Sequence, residues 1–295
     1  MSDSSIGVWL NAARPKTLPA AISPVILGIA LAWDAGALHF PAALCALMGA
    51  ILIQIAANYA NDYYDYLKGA DAGERLGPVR ATQAGLVKPA QMKRAMVTVL
   101  GLASLSGLYL VYRGGWPILV VGLLSMLFAV LYTAGPYPLG YIGAADLFVL
   151  IFFGPVAVAG TYYVQALHLP WTPVWIGLGP GLLSVAILTV NNLRDVNQDR
   201  LSGKKTLAVR FGPWYARLQY SLCIIIAVII LPVAAAVHSG HILVCVAILA
   251  AAPVGYCVRV VITETNGVTL NDCLARTGKV LLLYSLLFSL GWVLS

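Results

Sequence analysis

The sequence predicts an all-α polytopic membrane protein. Nine transmembrane helices surround a central cavity, as two pseudo-repeated four-helix units with one helix appended. Three observations lead there. Hydrophobic residues make up 60% of the 295 and charged residues only 10%, with a mean hydropathy of +0.86, which no water-soluble domain of this length tolerates on its surface. The apolar residues come in continuous runs instead of alternating with polar ones, the pattern of helices and not of barrel strands. The runs also approach the roughly 20 residues that an α-helix needs to cross the hydrocarbon core.

In chain order the spans fall near 17–33, 41–62, 93–112, 116–134, 143–166, 172–193, 215–237, 240–262 and 278–294. Breaks coincide with clusters of Pro, Gly and charge, as at Gly77-Pro78, Gly135-Pro136-Tyr137-Pro138 and Gly212-Pro213. Pro24, Pro155, Pro180 and Pro253 lie inside spans and are expected to kink those helices without ending them, because neighbouring helices re-satisfy the freed carbonyls. Arg14-Pro15-Lys16 precedes the first span, which continues at full length without a small-residue cleavage pattern, so no signal peptide is expected. Residues 1–295 read as a single transmembrane domain.

Charge sets the orientation. With nine spans and the N-terminus inside, 17 of the 18 Lys and Arg residues fall on the inner side and only Arg113 falls outside, as the positive-inside rule requires. The predicted location is therefore the inner (cytoplasmic) membrane, with the N-terminus and the acidic loops facing the cytoplasm. A net charge of +7 raises the question of nucleic acid, but the bases sit at helix ends and no extramembrane domain exists to hold such a partner. Cys45, Cys223, Cys245, Cys257 and Cys273 lie mostly within spans without CxxC spacing, and read as packing residues. The four histidines, His39, His168, His238 and His241, all fall on the outer side.

Two polar patches interrupt this lipid-like chain. One is Asn58-Tyr59-Ala60-Asn61-Asp62-Tyr63-Tyr64-Asp65 with Asp71 beyond it, and the other is Asn191-Asn192-Leu193-Arg194-Asp195-Val196-Asn197-Gln198-Asp199. Six of the 11 acidic residues fall in or beside them. A carboxylate at the centre of a membrane helix costs about 2.5–3.5 kcal/mol, so paired acids at helix ends need a counter-ion or a function. On a continuing helix Asn58, Asp62 and Asp65 occupy i, i+4 and i+7, and Asn191, Asp195 and Asp199 occupy i, i+4 and i+8, which places each set on one face. Both patches end long helices, four spans apart, and this spacing suggests a duplicated unit. Converging carboxylates repel unless cations lie between them. Magnesium suits this, since it takes oxygen ligands and bridges carboxylates to phosphates. Lys68, Arg75, Arg80, Arg194, Arg200, Lys204 and Lys205 lie near the acids in sequence, and such bases hold diphosphate oxygens. A basic, magnesium-bearing mouth beside a greasy chamber fits a substrate with an anionic head and a long apolar tail, such as an isoprenyl diphosphate.

The pair Asn61-Asp62-x-x-Asp65 and Asp195-x-x-x-Asp199, at the ends of the second and sixth of nine spans, resembles the UbiA superfamily of intramembrane aromatic prenyltransferases across the whole chain. Arg14-Pro15-Lys16-Thr17-Leu18, the run from Asn61 to Asp71, Arg75 to Arg80 with Gln83 and Gly85, and Asn191 to Asp195 with Gly203, Lys204 and Thr206 are similar to its menaquinone branch. Two departures stand out. Gly69 replaces the third aspartate of the first motif, with Asp71 the nearest substitute, and the loop from Tyr132 to Tyr141 lacks the lysine of the 4-hydroxybenzoate enzymes.

The resemblance implies transfer of a polyprenyl group from polyprenyl diphosphate to 1,4-dihydroxy-2-naphthoate with loss of CO2 and diphosphate, giving demethylmenaquinone. It implies magnesium held by Asp62, Asp65, Asp195 and Asp199, with Asn58, Asn191 and Asp71 assisting. Lys68, Arg75, Arg80, Arg194 and Lys204 are implied on the diphosphate, and Arg14, Lys16, Gln83, Tyr63 and Tyr132 on the substrates. Tyr59, Tyr64 and Tyr66 are further candidates to face an allylic cation. Two alternatives stay open: a different aromatic acceptor, and a secondary transporter whose acids bind ions. Transporter sites, however, lie near the midplane on broken helices, whereas these acids lie at helix ends on one side.

Overall fold

A computed structural model describes residues 5–69 and 80–295, and every regular element among them is helical. Eight helices among the described residues are long and apolar enough to cross a membrane, and Trp116–Leu131 is a shorter apolar helix. Together they give the nine spans expected.

The first span is preceded by a helix that the hydropathy pattern did not separate. Helix α1 (Ser5–Ala13) ends at Arg14, a single turn of 3-10 helix follows (Pro15–Thr17), and α2 (Leu18–Asp34) then crosses the bundle. Pro15 disfavours the right-handed helical conformation at the residue before it. Arg14 accordingly leaves the helix and adopts the left-handed region at φ 52°, which is uncommon for a residue with a side chain. Val8, Ala12 and Ala13 of α1 pack against Tyr59, Met92 and Met96.

Helix α3 (Phe40–Leu67) runs five residues beyond the expected end at 62, so the first acidic patch is helical throughout. It stops where Gly69 takes φ 63°, the left-handed position that closes many helices and that an aspartate would adopt only with strain. This accounts for a glycine where the related motif has an acid. Helix α4 (Pro89–Gly114) and α5 (Trp116–Leu131) follow, reversing at Gly115.

The fifth and sixth spans are each broken. Helices α6 (Ala145–Phe152) and α7 (Pro155–Ala166) part at Gly154, while α8 (Trp171–Ile176) and α9 (Leu178–Arg194) part at Gly177. Pro155 thus begins a new helix instead of kinking a continuous one, contrary to expectation. The reason is a close crossing: a Cβ on Gly154 would sit 2.6 Å from the Gly177 carbonyl, and one on Gly177 would sit 2.7 Å from the Pro155 backbone. Pro24, Pro180 and Pro253 do lie within α2, α9 and a later helix.

Short helices α10 (Val196–Leu201) and α11 (Leu207–Phe211) precede the seventh span, α12 (Pro213–Ile225) and α13 (Leu231–Ser239), joined through a wide π turn at Ile226–Ile230. Pro232 lacks the N–H that would hold the carbonyl one turn back, and the wider turn lies beside it. The eighth span begins as a 3-10 segment (Ile242–Ala250) and continues as α14 (Ala251–Thr263). The ninth, α15 (Gly267–Val293), starts eleven residues before the expected 278, capped by the Asn266 side chain, which accepts the N–H groups of Val268 and Thr269. Its polar first turns hid it from a hydropathy reading.

The main core joins α2, α7, α9, α12, α14 and α15 through residues such as Leu27, Val158, Leu183, Tyr220, Val260 and Leu281. Helices α4 and α5 bury little; Ile118 is the one buried residue of α5. The end remote from the acids is tied by side chains. Arg113 donates to the Val164 and Gln165 carbonyls at 2.6 and 2.8 Å, and Trp292 donates to Asp34 at 3.0 Å while stacking on His241.

Candidate active site

A cavity of about 950 Å³ runs between the α3–α4–α5 side and the α2–α7–α9 side of the bundle. Along α3 its lining extends from Ala46 to Asp65, about 29 Å at 1.5 Å per residue, close to the roughly 30 Å of a hydrocarbon core. Leu108, Val111, Ile118, Met126 and Phe152 furnish its apolar depth, and its polar lining gathers at the acidic end.

The two acidic patches meet there. Asn61 and Asp65 from α3 line the same mouth as Asn191, Asn192, Asp195 and Asp199 from α9 and α10. Asp65 is 1% exposed. Its Oδ2 accepts Arg80 Nη2 at 2.7 Å and its Oδ1 accepts the Tyr141 hydroxyl at 3.0 Å. On the other wall, Arg194 reaches Asp195 with two nitrogens at 2.8 and 2.6 Å and also donates to Asn191 Oδ1 at 2.9 Å and Asn271 Oδ1 at 2.8 Å. Lys204 Nζ lies 3.6 Å from Asp199. Burial pushes the Asp199 carboxyl up to about 6; Lys204 opposes this, while Asp195 and Asp65 add to it. Asp199 therefore lies within electrostatic reach of both Asp195 and Asp65.

That donor set, carboxylate and amide oxygens with no sulfur, fits a hard divalent cation. Among the described residues no three acidic, His or Cys side chains converge closely enough to hold a metal alone. An ion here needs water or phosphate oxygens to complete its shell, which is the usual coordination of magnesium.

Asp62 lies apart from this set. Its two oxygens accept the backbone N–H groups of Ala81 and Thr82 at 2.9 and 3.0 Å, so it caps the returning loop. At about 100° per residue, Asn61 and Asn58 stay within about 40° of Asp65 around the helix, whereas Asp62 lies about 60° away on its shoulder. Asn58 lines the cavity, but its amide donates to the Ala13 carbonyl at 2.9 Å and to Thr17 at 3.1 Å. Gln54 also donates to Thr17 at 3.2 Å, and Thr17 donates to the Arg14 carbonyl at 2.9 Å. These bonds brace the left-handed turn that sets Arg14 and Lys16 on the cavity rim.

Of the other expected residues, Arg14, Lys16, Arg80, Tyr132, Arg194 and Lys204 line the cavity. Lys68 sits beside the mouth, donating to the Thr133 and Gly135 carbonyls at 2.6 and 3.3 Å. Tyr63 instead packs edge-on against Tyr64, Tyr59 packs on Trp9, and Gln83 is exposed. Asp71 and Arg75 lie outside the described residues. Asn61 and Asn192 stood within the two polar patches without an assigned role, and sequence reasoning missed Tyr141 and Asn271. For Asn61 a signal existed: Asn61–Asp65 has the same four-residue spacing as Asn191–Asp195 and Asp195–Asp199.

The UbiA prenyltransferase family matches residues 21–269. The chain is 42% identical over 294 residues to 1,4-dihydroxy-2-naphthoate octaprenyltransferase of Escherichia coli (strain K12), covering 97% of this chain and 95% of that one. It is 43% identical over 218 residues to the enzyme of the same name from Mycobacterium tuberculosis (strain ATCC 25618 / H37Rv), covering 74% of each. A solved UbiA homolog from Archaeoglobus fulgidus, bound to GPP and Mg2+, superposes with a TM-score of 0.66 at 16% identity, covering 98% of this chain and 100% of that one. With the helical bundle and the facing acidic patches already in place, these matches establish that the chain belongs to the UbiA prenyltransferase family.

Proposed function

We propose that this protein transfers a polyprenyl group from polyprenyl diphosphate to 1,4-dihydroxy-2-naphthoate, releasing CO2 and diphosphate and forming demethylmenaquinone as its quinol. The observation that carries the reading is that Asp65 lines the polar mouth of the same apolar cavity as Asp195 and Asp199. Identity above 40% to relatives named for that reaction supports it.

The residues divide the work by position. Asp65 with Asn61 on one wall, and Asn191, Asp195 and Asp199 on the other, are the proposed magnesium ligands. When bound, magnesium supplies positive charge against the departing diphosphate; a family homolog has been solved with this ion and a prenyl diphosphate. Arg80, Arg194, Lys204 and Lys68 hold the outer phosphate oxygens by charge-assisted hydrogen bonds. The apolar depth takes the tail and keeps water from the allylic cation, and Tyr132 offers it an aromatic face. Arg14 and Lys16, on the rim, are placed for the acceptor carboxylate. A carbon–carbon bond forms at the ring carbon that bears this carboxylate. CO2 then leaves, and the electron pair of its bond returns to the ring, so no strong base has to remove a ring proton. We place the protein in the inner membrane with the acidic mouth facing the cytoplasm, since 17 of its 18 basic residues belong to that side.

Mass spectrometry of the product formed by the purified protein from magnesium, carboxyl-labelled dihydroxynaphthoate and a series of prenyl diphosphates tests the reading. The expected product has gained the prenyl group and lost the label. A prenylated product that keeps the label, or no product, contradicts it.

A further inference from the structure

Tyr141 connects both walls of the mouth through one side chain. Lys68 Nζ, from the end of α3, lies 4.7 Å from its ring centroid, and Lys204 Nζ, from the loop after α10, lies 4.9 Å from it. Its hydroxyl donates to Asp65 at 3.0 Å, and its backbone carbonyl accepts the Lys205 N–H at 2.7 Å. The loop that carries it is tightly seated. A Cβ on Gly140 would come 3.1 Å from the Tyr132 carbonyl, and one on Gly143, at φ 75°, would come 2.7 Å from the Lys205 carbonyl.

Two ammonium groups sharing one ring repel each other, and the negative face of the ring offsets part of that repulsion. No aliphatic side chain could do the same. An arrangement that concentrates two positive charges beside acids already facing one another is suited to receiving an anion of more than one charge. We propose that Tyr141 is a positioning residue for the donor diphosphate. Its ring presents Lys68 and Lys204 as a pair to the outer phosphate oxygens, and its hydroxyl fixes the rotamer with which Asp65 serves as an oxygen ligand. This rests on the prenyl-diphosphate reading above.

The test compares Tyr141→Phe and Tyr141→Leu in the full-length protein, in detergent, with magnesium and prenyl diphosphate varied separately. Phe keeps the ring and loses the hydroxyl. The donor KM of Tyr141→Phe stays within about twofold of wild type, while the magnesium concentration for half-maximal rate rises about tenfold, the usual scale for losing an outer-shell partner. Tyr141→Leu raises the donor KM about tenfold as well, and adding Lys68→Met to it raises that KM no further. If Phe and Leu shift both constants equally, or neither constant moves, the positioning role is overturned. Should Tyr141→Leu fail to fold, the split shown by Tyr141→Phe decides. Wild type that transfers no prenyl group contradicts the proposed function but not this inference. Magnesium pyrophosphate must then still raise the melting temperature of wild type and Tyr141→Phe at similar pyrophosphate concentrations, and Tyr141→Leu only at about tenfold higher ones; equal behaviour of all three overturns it.

Discussion

The Asp62 carboxylate holds the Ala81 N–H at 2.9 Å and the Thr82 N–H at 3.0 Å, which makes the first acid of the motif the anchor of the loop that delivers Arg80 to Asp65. Asp62→Asn keeps one acceptor oxygen and loses a charge-assisted bond, at about 1.5–3 kcal/mol. Its melting temperature should fall and the loop around residues 80–88 should become more sensitive to protease. The turnover that remains should show the magnesium half-saturation of wild type. A tenfold rise in that value would return Asp62 to the metal ligands.

The sequence could not separate these roles. Asn58–Asp62–Asp65 and Asn61–Asp65 are both acceptable helical faces, and which of them meets the cavity depends on where residues 80–82 return, a tertiary fact with no local signature. What was legible followed from bulk physics: apolar length gave the spans, and the cost of acids in lipid marked the two patches. Helix α1 was missed because its nine residues are too few to cross a membrane, and the early start of α15 because its first turns are polar enough to fall below a hydropathy reading. Tyr141 was missed because its position between Lys68 and Lys204 comes from a loop folding back.

The Arg14 turn should behave as a braced element. Asn58→Leu leaves the Ala13 carbonyl without its side-chain donor and Thr17 with Gln54 alone, which destabilises by about 1–3 kcal/mol and should raise the acceptor KM while leaving the donor KM near wild type. Arg14→Gly adopts a positive φ without penalty. The turn should persist while acceptor affinity falls and the donor KM stays near wild type, as steady-state kinetics on both substrates will show.

Arg194 reaches three residues at once, Asn191, Asp195 and Asn271, a geometry that a lysine with its single nitrogen cannot reproduce. Arg194→Lys should therefore lower kcat/KM by about 100-fold, roughly 2.7 kcal/mol of transition-state stabilisation. A loss of less than threefold would show that positive charge alone is required there.

The broken spans predict a contrast among glycines. Gly154→Ala and Gly177→Ala press a methyl group into the crossing of the fifth and sixth spans and should cost about 1–3 kcal/mol in thermal or denaturant unfolding. Gly160, which also lines the cavity, has nothing within 4 Å of an added Cβ. Gly160→Ala should melt at or slightly above wild type, since alanine favours the helix by up to about 1 kcal/mol.

In the proposed mechanism Asp65 on one wall and Asp195 on the other act on a single diphosphate. Magnesium-dependent release of diphosphate from a prenyl diphosphate, measured for wild type, Asp65→Asn, Asp195→Asn and the double variant, tests it most directly. Each single variant should lose at least about 100-fold and the double variant little more, because the residues work as a unit. Full activity in either single variant, or losses that multiply in the double, would mean the two walls do not grip the same group.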